Sequence, residues 1–144
     1  IAKKKMPDAT LINWDFTSGL PNEIISNKYD YIISTYAIHH LSDKEKIEFI
    51  KSLSKLLNIN GEILIGDVSF ETSKELDECR EIYKEIWDNE EFYFVANVMM
   101  KSLNELYCNY EKISYCSGVL TVANKNSGEN RSIRKMQPHV VFGP

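Results

Sequence analysis

Two adjacent histidines, His39 and His40, follow the apolar run Tyr31-Ile32-Ile33 and the polar residues Ser34, Thr35 and Tyr36. An apolar run that ends in small polar residues is the pattern of a buried parallel strand, and in open α/β sheets ligands bind beyond the carboxyl ends of such strands. Residues 34–40 are therefore where chemistry is expected. Imidazole titrates near neutrality, so it can move a proton, accept a hydrogen bond or ligate a metal. Asp15, after a short strand over 9–14, and Asp67, after another over 62–67, sit at further strand ends. Both also read as turn or cap residues, and both histidines also read as packing around a ligand.

The elements that would position these residues follow from local signals. Ser42-Asp43-Lys44-Glu45 is a capping box: the Ser42 hydroxyl accepts from the Glu45 amide while the Glu45 carboxylate reaches back. Ile47, Ile50, Leu53 and Leu57 then form the apolar stripe of a helix to about residue 58, and Asn60-Gly61 would stop it in a left-handed conformation. Strand, helix and strand make a βαβ unit. Upstream, the lysines at 3–5 before Pro7 read as the last turn of a helix, and 21–26 as a short helix. Downstream, Leu76, Cys79, Ile82, Tyr83 and Ile86 predict an amphipathic helix over 71–88, followed by a helical segment over 96–106. Strands over 111–116 and 119–123, joined at Ser117-Gly118, predict a hairpin.

The bulk composition narrows the function classes. The chain has 144 residues, 43% hydrophobic and 26% charged, enough for one domain with a substantial core. A net charge of -4 argues against an extended nucleic-acid surface and favours small-molecule or protein partners. Cys79, Cys108 and Cys116 are odd in number and lack CxxC spacing, so they read as reduced thiols. No segment approaches the roughly 20 apolar residues of a membrane helix, and a cytoplasmic location is expected. Within 125–144, Lys125, Arg131, Arg134 and Lys135 stand against Glu129 alone, without periodicity before Val140-Val141-Phe142; a loosely ordered tail is expected.

Taken in series, Asp15-Phe16, the run from Tyr29 to Ser34, Ala37-Ile38-His39-His40-Leu41, Leu56-Leu57 with Asn60-Gly61-Glu62, and the terminal hairpin resemble class I S-adenosylmethionine-dependent methyltransferases over residues 1–124. The resemblance is nearest to small bacterial members without an assigned substrate. It implies a Rossmann-like α/β fold, S-adenosylmethionine as cofactor with S-adenosylhomocysteine as product, and a small-molecule O or N acceptor. Asp15 matches the family's acceptor for the adenine amine and Phe16 its apolar neighbour. Ser34, Thr35 and Tyr36 match residues lining the methionine part of the cofactor, and His40 a histidine close to the transferred methyl. His39 is the second candidate catalytic residue, and the helical insert over 71–106 would supply a substrate lid. No metal set is expected.

The departures are informative. The six glycines never approach the family's GxGxG turn, and the first two strands of the 3-2-1-4-5-7-6 sheet have no counterpart. A fragment of a longer enzyme is expected, with bare strand edges through which copies could pair. Two rivals follow: a non-catalytic interaction module, and a metal or thiol enzyme built on His39, His40 and the cysteines.

Overall fold

The computed structural model describes residues 12, 15, 18–125 and, as backbone, 140–142. Of the strand expected over 9–14 only Ile12 falls among them, and the lysine segment and Phe16 lie outside. Helix α1 (Asn22–Ile25) precedes strand β1 (Tyr29–Thr35), a 3-10 turn (Ile38–His40), α2 (Asp43–Ser54) and the long strand β2 (Leu57–Phe70). Then come α3 (Ser73–Ile82), the two-residue β3 (Phe94–Val95), α4 (Ala96–Ser102), the hairpin β4 (Leu106–Ser114) and β5 (Ser117–Asn124), and β6 (Val140–Phe142).

The sheet order is β4-β5-β2-β1-β6, with β3 beside the end of β2. β1, β2 and β6 run parallel, whereas β5 is antiparallel to both β2 and β4. The expected βαβ unit and terminal hairpin are both present. One sheet face is dry: Ile32, Ile63, Ile65, Leu120 and Val122 are fully buried, together with Ile50 and Leu53 of α2 and Leu103 after α4. Each such side chain contributes about 1.5–3 kcal/mol. The opposite face, with Tyr31, Ile33 and Leu64, is only half-buried.

Several boundaries differ from the sequence reading, each for a tertiary reason. Helix α2 begins at its capping box, with Ser42 N donating to the Glu45 carboxylate at 2.8 Å, but it ends at Ser54 rather than near residue 58. Leu57 is drawn into the sheet opposite Tyr29, and β2 runs on through Asn60-Gly61. The partners jump from Tyr29 opposite Leu57 to Tyr31 opposite Glu62, so 58–60 bulge outward and stay exposed. Gly61 is therefore no helix stop. It lies where a Cβ would come 2.7 Å from the Tyr29 carbonyl oxygen. The hairpin turns at Tyr115-Cys116 instead of Ser117-Gly118, and Gly118 lies inside β5, where the Tyr110 ring occupies the space of a Cβ. The charged helix is shorter than expected, since its own capping box, Thr72 with Glu75, starts it at Ser73 and it ends at Ile82.

The outer edge of β1, expected to be bare, is paired with β6 from Ile32 to Ser34. Pairing between copies through that stretch loses its template. Residues 126–139 and 143–144, the rest of the expected tail, lie outside the described residues. The Gly61 packing generates a stability prediction: Gly61→Ala should destabilise the fold by about 1–3 kcal/mol in urea unfolding, because the obstructing atom is backbone. An unchanged midpoint would show that the bulge yields.

Candidate functional site

The site grows from the exit of β1. Asp67, on β2 one position beyond the Gly66 that pairs with Thr35, is 2% exposed. Its Oδ2 accepts from the amides of Ala37 and Ile38 at 3.1 and 3.0 Å, and its Oδ1 accepts from the Val68 amide at 2.8 Å. The same Oδ1 lies 2.7 Å from His39 Nδ1. A carboxylate oxygen accepts here, so His39 carries a proton on Nδ1 and has Nε2 left for another partner. Asp67, which reads from sequence as a turn or cap residue, performs that role and also orients the buried His39. Its signal in the sequence is a single acid at an expected strand end, whereas β2 runs on past it to Phe70 and pairs it with Gly118.

His40 is exposed, with its ring centroid 4.2 Å from that of His39. Of the residues expected before the histidines, Ser34 is 1% exposed, and its Oγ has no hydrogen-bond partner among the described residues. Thr35 is half-buried at the end of β1. Tyr36 is exposed with φ +48, a left-handed conformation that costs a non-glycine residue roughly 1–2 kcal/mol, and its amide bonds to the Gly66 carbonyl at 2.9 Å. Asp15 is exposed and accepts a backbone bond from Ser18. Phe16 lies outside the described residues.

Further residues join the site through the fold. The segment before β3 is fastened by the Phe92 amide, which donates to the His39 carbonyl at 2.7 Å. That contact brings Glu91 Oε1 to 3.8 Å from His39 Nε2. Tyr93 donates its hydroxyl to Glu91 Oε2 at 2.6 Å; burial and then the Glu91 carboxylate push the phenol upward, so it stays a donor. Tyr93 also meets Trp87 edge-on at 5.2 Å, and Trp87 lies under Arg80 of α3. Lys46, on α2, is fully buried beneath Phe92, with Nζ bonded to the Leu41 carbonyl. Burial pulls its pKa down, opposed by the nearby Asp43 and Asp67 carboxylates.

Other features contribute less. A cleft of about 190 Å³ between Gly19, Leu20 and α2 includes neither histidine nor Asp67 in its lining. Burial pushes the Cys108 thiol up to about 11, which leaves little thiolate at neutral pH and weakens the thiol-enzyme reading.

Two predictions follow from this geometry. Asp67→Asn places an amide NH₂ against one of the N–H groups that Asp67 now satisfies, so stability should fall by about 1–3 kcal/mol and ¹⁵N shifts should show His39 losing its single tautomer. A retained Nδ1–H tautomer would show that Asp67 does not set it. For Lys46, the folded-state pKa is depressed, so the unfolded chain holds the extra proton between that value and the model 10.5. The stability of the wild type relative to Lys46→Met should therefore rise as pH climbs toward the ordinary lysine value of 10.5. A pH-independent difference in denaturation would contradict the burial cost.

Comparison with known proteins places this architecture. No family model matches the chain. Uncharacterized methyltransferases resemble it in sequence: one from Oceanobacillus iheyensis is 42% identical over 74 residues, covering 51% of this chain and 33% of that protein. One from Bacillus cytotoxicus is 40% identical over 87 residues, covering 59% and 39%. The chain thus spans about a third of the length of the curated relatives it matches. Among solved structures, a Pyrococcus horikoshii protein superposes with TM-score 0.64 at 18% identity, covering 86% of this chain and 63% of the other. The magnesium protoporphyrin IX methyltransferase of Synechocystis, solved with bound SAH, gives 0.58 at 16% identity, covering 86% and 56%. The fold is the Rossmann-like methyltransferase fold.

Proposed function

We infer that this chain forms part of a class I S-adenosylmethionine-dependent methyltransferase and that the complete enzyme methylates an oxygen or nitrogen of a small molecule. The sequence similarity to methyltransferases and the shared fold support the class. The observation that carries the chemical reading is the Asp67–His39 pair, held where β1 ends and its parallel pairing with β2 stops. In this fold ligands bind at that edge of the sheet.

The cofactor fits the described residues in part. Ser34 supplies a buried hydroxyl without a partner among the described residues, and Tyr36 holds a strained conformation of the kind that clusters at ligand sites. With Thr35 they line the proposed methionine pocket, while Asp15 and Phe16 are assigned to the adenine. No GxGxG turn is present in the sequence to cradle the remainder. When bound, S-adenosylmethionine supplies an electrophilic methyl on a sulfonium.

The chain's own residues would prepare the acceptor. Asp67 fixes the tautomer of His39, so that Nε2 can accept a hydrogen bond or proton from an acceptor O–H or N–H. His40, exposed beside it, is the second proton acceptor. The segment 71–106 would act as a lid: Arg80, Trp87, Tyr93 and Glu91 connect α3 to His39, which couples lid position to the orientation of the acceptor. The half-buried face with Tyr31, Ile33 and Leu64 suits a sheet that further chain would cover. A non-catalytic module pairing through its edges is less supported, because β6 already occupies the outer edge of β1 over Ile32 to Ser34. Among the described residues no helix is long and apolar enough to cross a membrane.

Calorimetric titration of S-adenosylhomocysteine into the 144-residue chain tests the cofactor assignment. Asp15→Ala and Ser34→Ala should each weaken binding about 5- to 30-fold, the loss of one or two kcal/mol of hydrogen bonding. A folded chain that binds equally well with both substitutions would remove these residues from the site.

A further inference from the structure

We propose that His39, His40 and Glu91 form a binding site for one divalent cation of the zinc class. One donor atom from each of the three lies within 4.8 Å of the other two. The pair His39 Nε2 and Glu91 Oε1 shows why the cluster calls for a cation. Because His39 donates through Nδ1 to Asp67, Nε2 is its remaining ring nitrogen, and at 3.8 Å it faces a carboxylate oxygen of Glu91. In the neutral ring both are lone-pair donors, and positive charge between them, a proton on Nε2 or a cation, joins them.

The outer groups complete the pattern. Asp67 holds the far nitrogen of His39, and Tyr93 holds the far oxygen of Glu91, so two of the three ligands have a partner that turns the remaining donor atom inward. Metal-ligating histidines and carboxylates are oriented in this way. The backbone bond from Phe92 to His39 fixes the segments that carry Glu91 and the histidines relative to each other. Donors around tetrahedral zinc stand roughly 3.4 Å apart, from bonds of about 2.0–2.1 Å. Closing the present separations takes shifts of about 1 Å, within reach of the exposed His40 and half-buried Glu91 side chains.

Two imidazoles and one carboxylate favour zinc, cobalt or nickel over magnesium and calcium, which prefer oxygen-only shells. Three protein ligands leave a fourth position open for water or a ligand oxygen. A cation on Nε2 and a proton taken by Nε2 exclude each other, so the site is distinct in chemistry from the base role of His39 and does not depend on methyl transfer.

Zinc titration by calorimetry, with cobalt absorption as the spectroscopic readout, tests the site in the 144-residue chain. One equivalent of zinc should bind and magnesium should give no heat. Glu91→Gln and His40→Ala should each weaken zinc at least about 10-fold, with circular dichroism unchanged. Cobalt should give the visible bands of a nitrogen and oxygen site. Failure of the folded wild type to bind zinc would overturn the proposal, as would affinity unchanged in both variants. A cobalt spectrum with thiolate charge-transfer bands would also overturn it, because that places the cation on cysteine.

Discussion

The bonds made by the Asp67 carboxylate hold the site together. A carboxylate this deeply buried costs several kcal/mol unless its oxygens are satisfied, and here three backbone amides and an imidazole N–H satisfy them. The same bonds tie β2, one residue beyond its last pair with β1, to the turn leaving β1. One group thereby caps a turn, joins two strands and selects a histidine tautomer. The left-handed Tyr36 lies at the start of that turn, and its bond to the Gly66 carbonyl belongs to the same junction.

From this junction the order spreads outward in one direction. The His39 carbonyl fastens Phe92, and Phe92 lies over the buried Lys46 ammonium. Next to Phe92, Glu91 and Tyr93 bond each other, and Tyr93 packs on Trp87. A connection that would otherwise be a solvated loop is thus threaded through polar contacts to the strand ends. Exposed Ile82, Ile86 and Phe92 on the same insert leave apolar surface facing outward.

Lys46 shows how such a site resists simple replacement of its polar parts. Its stem fills the space between α2 and Phe92 while its head satisfies the Leu41 carbonyl. An apolar residue of the same length would keep the packing and orphan that carbonyl. A shorter one would lose both.

The sequence by itself determined the elements whose signals are short-range. The Ser42–Glu45 box starts α2 because both halves of the cap lie within one turn, and the apolar run at 31–33 becomes β1 because its burial follows from its own composition. Hairpin strands were legible for the same reason, and so was the location of the histidines at a strand end, whereas the stripe expected over 71–88 leaves Ile82, Tyr83 and Ile86 exposed. Only the tertiary structure decided which histidine is held and by what, since Asp67 lies 28 positions from His39. It decided the end of α2, because pairing with Tyr29 outweighs the helical stripe at Leu57, and the role of Gly61 and Gly118, whose neighbours Tyr29 and Tyr110 come from other strands. Glu91 and Tyr93 carry no local mark at all. Periodicity and capping act over about four residues, whereas a carboxylate becomes part of a site only when the sheet register sets its neighbours.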